Sequence, residues 1–409
     1  MHQTIFIIIV SILVFNYLLE RVLEYLNNKT WSNELPKEAE GIYDSEKYKK
    51  AREYDRINSR FGFLTSTFSF LLMIGMLFFD GFAFLDEFVR NYTEHPILMA
   101  LLFFGILAVA SDILTEPFSL YSTFVIEEKF GFNRTTVKTY IFDKIKSAIL
   151  GAIIGGGLFS LFVWFYETAG EYFWLYAWAL VTVFMLFMAM FYSSLIVPLF
   201  NKLTPLEEGG LRTEIEDYCK KVGFKLNNLF VIDGSKRSTK ANAFFSGLGP
   251  KKKIVLYDTL IEKHTNDELL AVLAHEVGHY KKKHTRTSIF ISVLQTGLTL
   301  YLLSLMINLP QFSIALGAEK QSFHIGIIVF GMLYSPLSMI LGLGMNILSR
   351  KNEFEADAYA KETYKGEPLR TALKKLSVDN LSNLTPHAAY VFFHYSHPPL
   401  LKRLKALKT

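Results

Sequence analysis

The sequence predicts an all-α transmembrane protein of seven helices, with a smaller α+β portion on the cytoplasmic side. Three observations carry that reading. The 409 residues are 51% hydrophobic and only 20% charged, too apolar for an ordinary soluble chain of this length. Seven apolar runs of about 20 residues, the length that spans a bilayer, occur near 4–24, 61–80, 96–115, 147–167, 173–199, 287–308 and 324–348. Lysine and arginine gather in alternate loops between those runs, as the positive-inside rule requires.

The first run begins almost at Met1, where a signal peptide is the competing reading. It is too long for a typical signal core and lacks an A-x-A site. Glu20 and Arg21 lead straight into charged sequence, so it is read as a retained span. The loop after it carries Lys47, Lys49, Lys50, Arg52, Arg56 and Arg60, and the loop after span three carries Lys129, Arg134, Lys138, Lys144 and Lys146. By contrast, the loop after span two holds only Arg90, the loop after span six only Lys320, and the loop after span four neither residue type. This sorting places the N-terminus outside and the C-terminus in the cytoplasm, and it requires an odd number of spans. Asp112 and Glu116 in span three are expected to face protein or water rather than lipid. Gly151, Gly155, Gly156 and Gly157 in span four suit close helix packing.

Four regions follow. Residues 1–200 hold spans one to five, and 201–286 form a cytoplasmic segment. Spans six and seven occupy 287–349, and 350–409 return to the cytoplasmic side. Two distant polar segments can thus build one site. The first opens on turn-rich Asn201–Pro205, then reads as a short helix near 211–222 and strands at Asn228–Ile232 and Lys253–Tyr257.

His275-Glu276-Val277-Gly278-His279 is the chemical centre of the chain. On a helix the two histidines lie four apart, so both imidazoles leave one face and can share a tetrahedral metal ion. Glu276 sits where a carboxylate can take a proton from an activated water. Thr265-Asn266-Asp267-Glu268 reads as a capping box that starts this helix, and Lys281, Lys282 and Lys283 complement its C-terminal dipole. The lone cysteine, Cys219, belongs to no C-x-x-C pair, so a metal must be held by histidine and carboxylate. A third histidine at metzincin spacing is absent: Lys282 occupies the glycine position and His284 falls one residue short. Downstream, Glu353 and Asp357 lie four apart on one helical face, whereas Glu355 points elsewhere. Glu353 is therefore assigned as third ligand and Asp357 as the acceptor that orients a ligand histidine. A solvated acidic face is the competing reading, outweighed by the H-E-x-x-H on the same membrane side.

Leu348-Ser349-Arg350-Lys351-Asn352-Glu353-Phe354-Glu355-Ala356-Asp357-Ala358-Tyr359-Ala360 resembles the second metal motif of the type I CAAX prenyl proteases, integral-membrane zinc metalloproteases of the gluzincin kind. Glu127-Glu128-Lys129-Phe130-Gly131-Phe132-Asn133, Pro198-Leu199-Phe200-Asn201-Lys202, Asn242-Ala243-Phe244-Phe245 and His394-Tyr395-Ser396-His397-Pro398-Pro399 look like further signatures, in family order. The resemblance implies seven helices in a barrel around a large water-filled chamber, with a zincin-like α+β metalloprotease portion at its cytoplasmic end. It also implies that Asn242 and Ala243 belong to an edge strand pairing with extended substrate. His397 matches the residue that stabilises the oxyanion, and Arg403 its basic partner. His284, His387 and His394 are read as structural.

The expected chemistry is peptide-bond hydrolysis with one zinc ion per chain on His275, His279 and Glu353, and Glu276 as base. The expected partners are the lipid bilayer and a peptide or protein substrate, prenylated or not; a net charge of +5 gives no case for nucleic acid. C-terminal CAAX-type processing is the leading reading. A general quality-control protease like the HtpX membrane proteases is the alternative, and a silent scaffold or transporter is a third class. A bacterial inner membrane is favoured as compartment over that of the endoplasmic reticulum.

Overall fold

Among the described residues, six continuous helical stretches are long and apolar enough to cross a membrane: His2–Lys29, Ser45–Phe78, Pro96–Glu127, Val137–Phe200, His284–Met306 and Phe323–Thr363. The computed structural model describes residues 1–31, 34–35, 40–226, 228–247 and 253–408, without the side chains of 245 and 246. Val137–Phe200, at 64 residues, covers two of the predicted runs. Its course breaks at Gly170, whose φ of 55° and ψ of −129° are open to glycine, and a short 3₁₀ turn at Gly170–Tyr172 follows. On either side, helices Gly156–Ala169 and Phe173–Leu195 lie against each other through Phe162–Phe173, Phe165–Tyr176 and Tyr166–Phe173, with ring centroids 5.4–5.9 Å apart.

The ionisable groups of span three find a partner. Lys144 Nζ lies 2.5 Å from Asp112 Oδ1 and also contacts Glu116, so two acids in an apolar helix share one cation from the next helix. The glycine expectation for span four fails at three of its four positions: a Cβ at Gly151, Gly155 or Gly157 would meet nothing within 4 Å. Instead Gly151–Gly155 forms a π-helical segment. Close packing falls at Gly297, where a Cβ would stand 2.9 Å from the Trp178 ring.

At the end of the bundle away from the H-E-x-x-H helix, the short helix Gly81–Arg90 is tied to the start of Phe323–Thr363. Asp86 is 2.5 Å from His324 Nε2 and accepts hydrogen bonds from Arg90 Nε at 2.8 Å and Ser322 Oγ at 2.9 Å. Burial alone would raise its pKa, but these three partners hold it down at about 2.

The polar portion is built on a four-stranded sheet of β1 (Leu203–Pro205), β2 (Leu229–Ile232), β3 (Ala243–Ser246) and β4 (Lys253–Tyr257), in the order β1-β2-β4-β3. β2 and β4 are parallel; β1–β2 and β3–β4 are antiparallel. Both strands read from the apolar pattern are present, as is the short helix, at Gly210–Lys221. β1 falls where the sequence shows only a turn-rich exit. Its three residues contain Pro205, which is tolerated at a sheet edge. The capping box forms in full, with Glu268 N–H donating to Thr265 Oγ1 and Thr265 N–H to Glu268 Oε2.

Two contacts fasten the sheet to the membrane helices. Arg237 donates bidentately to Asp143 at 2.7 and 2.9 Å. Lys240, three residues before β3, lies 2.9 Å from Glu127 and 3.0 Å from Tyr54 Oη, over the Phe132 ring.

Candidate metal centre

The site forms where helix Asn266–Lys281 crosses the 41-residue helix Phe323–Thr363. The crossing is close because the facing residues are small. Ala274, Ala356 and Ala360 are fully buried, and a Cβ at Gly278 would come within 3.1 Å of the Ala356 backbone. This approach brings one turn of each helix together, so that His275, His279 and Glu353 meet. The last membrane-spanning stretch and the third candidate ligand therefore belong to one unbroken helix.

His275 Nε2 and His279 Nε2 are 3.2 Å apart, His279 Nε2 lies 3.2 Å from Glu353 Oε1, and His275 Nε2 lies 3.5 Å from Glu353 Oε2. Donors on a tetrahedral ion bonded at about 2.0–2.1 Å stand roughly 3.3 Å apart. Glu353 is buried, and its Oε2, though 3.2 Å from Arg403 Nη1, receives no well-directed hydrogen bond. Two imidazoles and one carboxylate at this spacing fit a divalent metal, with a position left toward the cavity.

Each histidine has a partner on its other nitrogen. His275 Nδ1 is 2.9 Å from Asp357 Oδ1. Arg403 donates to both Asp357 oxygens at 2.8 and 2.6 Å, which fixes the carboxylate. His279 Nδ1 is 3.0 Å from His284 Nδ1, whose Nε2 lies 3.1 Å from Glu355 Oε2. Sequence reasoning missed this second arm. His284 starts the next helix after Lys283, a non-glycine residue at φ 62° that turns the chain back over His279. The spacing of His284 carried no signal for that turn. Glu355 does point away from Glu353, as read, but toward His284.

Glu276 is partly accessible and lines a cavity of about 460 Å³ together with Asn242, Ala243, Phe244, Asn380 and His397. Burial raises its pKa, and the charges of His275 and His279 offset that in part. His397 is exposed, 65% accessible, with Nε2 3.4 Å from Glu353 Oε1. β3 is the edge strand on this side, and Asn242 immediately precedes it. Tyr257 N–H donates to Asn242 O, so by the antiparallel register Ala243 turns its backbone groups to the open edge. Its N–H is held by Asn242 Oδ1 at 2.8 Å. All nine predicted site residues thus surround one cavity or support its walls.

Comparison with known proteins gives concordant results. Residues 24–202 match the profile described as CAAX prenyl protease N-terminal, five membrane helices, and residues 205–409 match peptidase family M48. The chain is similar to the CAAX prenyl protease 1 homolog of Arabidopsis thaliana, 38% identical over 91% of this chain and 90% of that one. The human CAAX prenyl protease 1 homolog is 35% identical over 92% and 89%, and CAAX prenyl protease 1 of Saccharomyces cerevisiae is 35% identical over 93% and 89%. The crystal structure of S. mikatae Ste24p superposes with a TM-score of 0.94 at 34% identity, covering 99% of both chains.

Proposed function

Since the chain belongs to peptidase family M48 and is a membrane metalloendopeptidase, we propose that it removes C-terminal residues from CAAX-type substrates with one zinc ion held by His275, His279 and Glu353. The observation that carries this reading is the three-donor cluster opening on a cavity walled by an edge strand. The bound metal would supply Lewis acidity to the scissile carbonyl and to a water. Glu276 takes the proton of the attacking water and passes it to the leaving amine. Asn242 and Ala243 pair with the extended substrate, which aligns its backbone with little demand on side chains. His397 donates to the carbonyl oxygen as it turns negative. Arg403 and Asp357 act through His275 and Glu353, and His284 with Glu355 through His279.

The stretch Val137–Phe200 is read as two crossings turned at Gly170, which makes seven spans around a chamber. The site then faces the cytoplasm, whether the membrane is a bacterial inner membrane or that of the endoplasmic reticulum.

The test is cleavage of one C-a-a-X peptide, farnesylated and unfarnesylated, by purified protein, with Glu276→Gln as the blank. The expected result is preference for the farnesylated form, with the variant retaining metal and losing turnover by at least about a hundredfold. Equal cleavage of both peptides would remove the CAAX assignment and leave a general membrane endopeptidase. Full activity in Glu276→Gln would remove the base.

A further inference from the structure

A second cavity, of about 480 Å³, lies between helices His2–Lys29 and Ser45–Phe78, apart from the metal centre. Its wall carries four arginines. Arg52, Arg56 and Arg60 occur at i, i+4 and i+8, so they line one face of the second helix over about 12 Å. Arg21 approaches from the first helix. Against them stand two carboxylates, Glu24 and Asp55. Glu24 is engaged by Arg21, at 2.8 and 3.1 Å. Among the described residues, Arg52, Arg56 and Arg60 form no ion pair. The groove therefore holds an excess of two positive charges, with three guanidiniums free to take an anion.

Its position says which anion. On the first helix, Val14, Phe15, Leu18, Val22 and Tyr25 form one exposed apolar face, and Arg21 sits at the edge of it. On the second, the arginine face continues into exposed Phe63, Leu64 and Leu71. These exposed apolar faces, on helices long and apolar enough to cross a membrane, are read as lipid faces, which sets the groove where hydrocarbon gives way to head groups. A guanidinium is shaped to grip a phosphate with two parallel hydrogen bonds.

We propose that this groove is a binding site for the phosphate head group of an anionic phospholipid in the leaflet on the side of Arg52, Arg56 and Arg60. The acyl chains run along Leu18, Val22, Phe63 and Leu64. The groove shares no lining residue with the peptidase cavity.

Native mass spectrometry of the full-length protein in nonionic detergent tests it, with short-chain phosphatidylserine, short-chain phosphatidylcholine and inorganic phosphate as probes. Phosphatidylserine is expected to be retained at least about tenfold better than phosphatidylcholine. Each arginine contributes roughly fivefold in affinity. Arg56→Gln, at an exposed position, should weaken retention about fivefold. The triple Arg52→Gln, Arg56→Gln, Arg60→Gln variant should abolish the preference while peptide cleavage persists. Equal retention of both lipids, or an unaltered preference in Arg56→Gln, would overturn the proposal. Displacement of phosphatidylserine by equimolar inorganic phosphate would also overturn it, in favour of a soluble-anion site.

Discussion

Glu276 shows how much one position tells. Its place in H-E-x-x-H named its chemistry, but only the fold shows how its acidity is set. Burial lifts its pKa above the ordinary 4.5, so the protonated form persists to higher pH than for a free carboxylate. As the proposed base, Glu276 must be ionised, so kcat/KM is expected to fall on acidification, and a pH profile of peptide cleavage checks this. Glu353 and Asp357 were equally legible, because helical periodicity alone puts residues four apart on one face. His284 and Glu355 were not. Their meeting depends on the left-handed turn at Lys283 and on the crossing of two helices far apart in sequence. The second arm leads to a distinct prediction. Glu355→Gln should weaken metal affinity about 10–100-fold, as outer partners of ligand histidines do. Competition with a chromophoric chelator measures this, and unchanged affinity would make the His284–Glu355 pair merely structural.

At the scale of elements, the decisive contact is between two helices rather than within either. Gly278 is the x before the second histidine, a position whose identity the motif leaves open. The structure gives it a reason: its missing side chain lets Ala356 approach and so fixes the separation of the three donors. Gly278→Val should force the helices apart, with metal affinity falling by more than about a hundredfold and a loss of stability of about 1–3 kcal/mol from overpacking. Metal content per chain and the unfolding midpoint read the two effects separately. β2 and β4 were visible as apolar runs, whereas β3 was visible only through family resemblance. Its residues, Ala243–Ser246, lack the length and alternation that mark a strand, and pairing with β4 makes it one. The glycines of span four misled for the opposite reason. Composition suggested a packing face, but a side chain at three of them would touch nothing.

For the whole molecule, charge asymmetry and apolar run length placed the membrane and the polar portion, because both follow from the cost of moving charge into hydrocarbon. The lock at the far end was not legible, since Asp86 and His324 are separated by most of the chain. That lock contributes to stability with a definite sign. Its carboxyl titrates at about 2 when folded, against 3.8 ordinarily, so its contribution is present above about 3.8 and is lost as pH falls through 2. Asp86→Asn should cost about 2 kcal/mol at neutral pH and flatten the loss of thermal stability between pH 4 and 2. The same end of the molecule anchors helix Phe323–Thr363, which runs from the lock to Glu353 without a break. Pro336 lies within it, about 26 Å from Glu353 at 1.5 Å per residue. A tilt of only about 5° about that proline would swing the carboxylate by roughly 2 Å, ten times the tolerance of about 0.2 Å in a metal–ligand bond. Membrane helices tilt to match the thickness of the lipid around them. The long helix is thus a lever with one arm in hydrocarbon and its tip at the three-donor cluster, and the rate of peptide cleavage is expected to change with the thickness of the bilayer into which the protein is reconstituted.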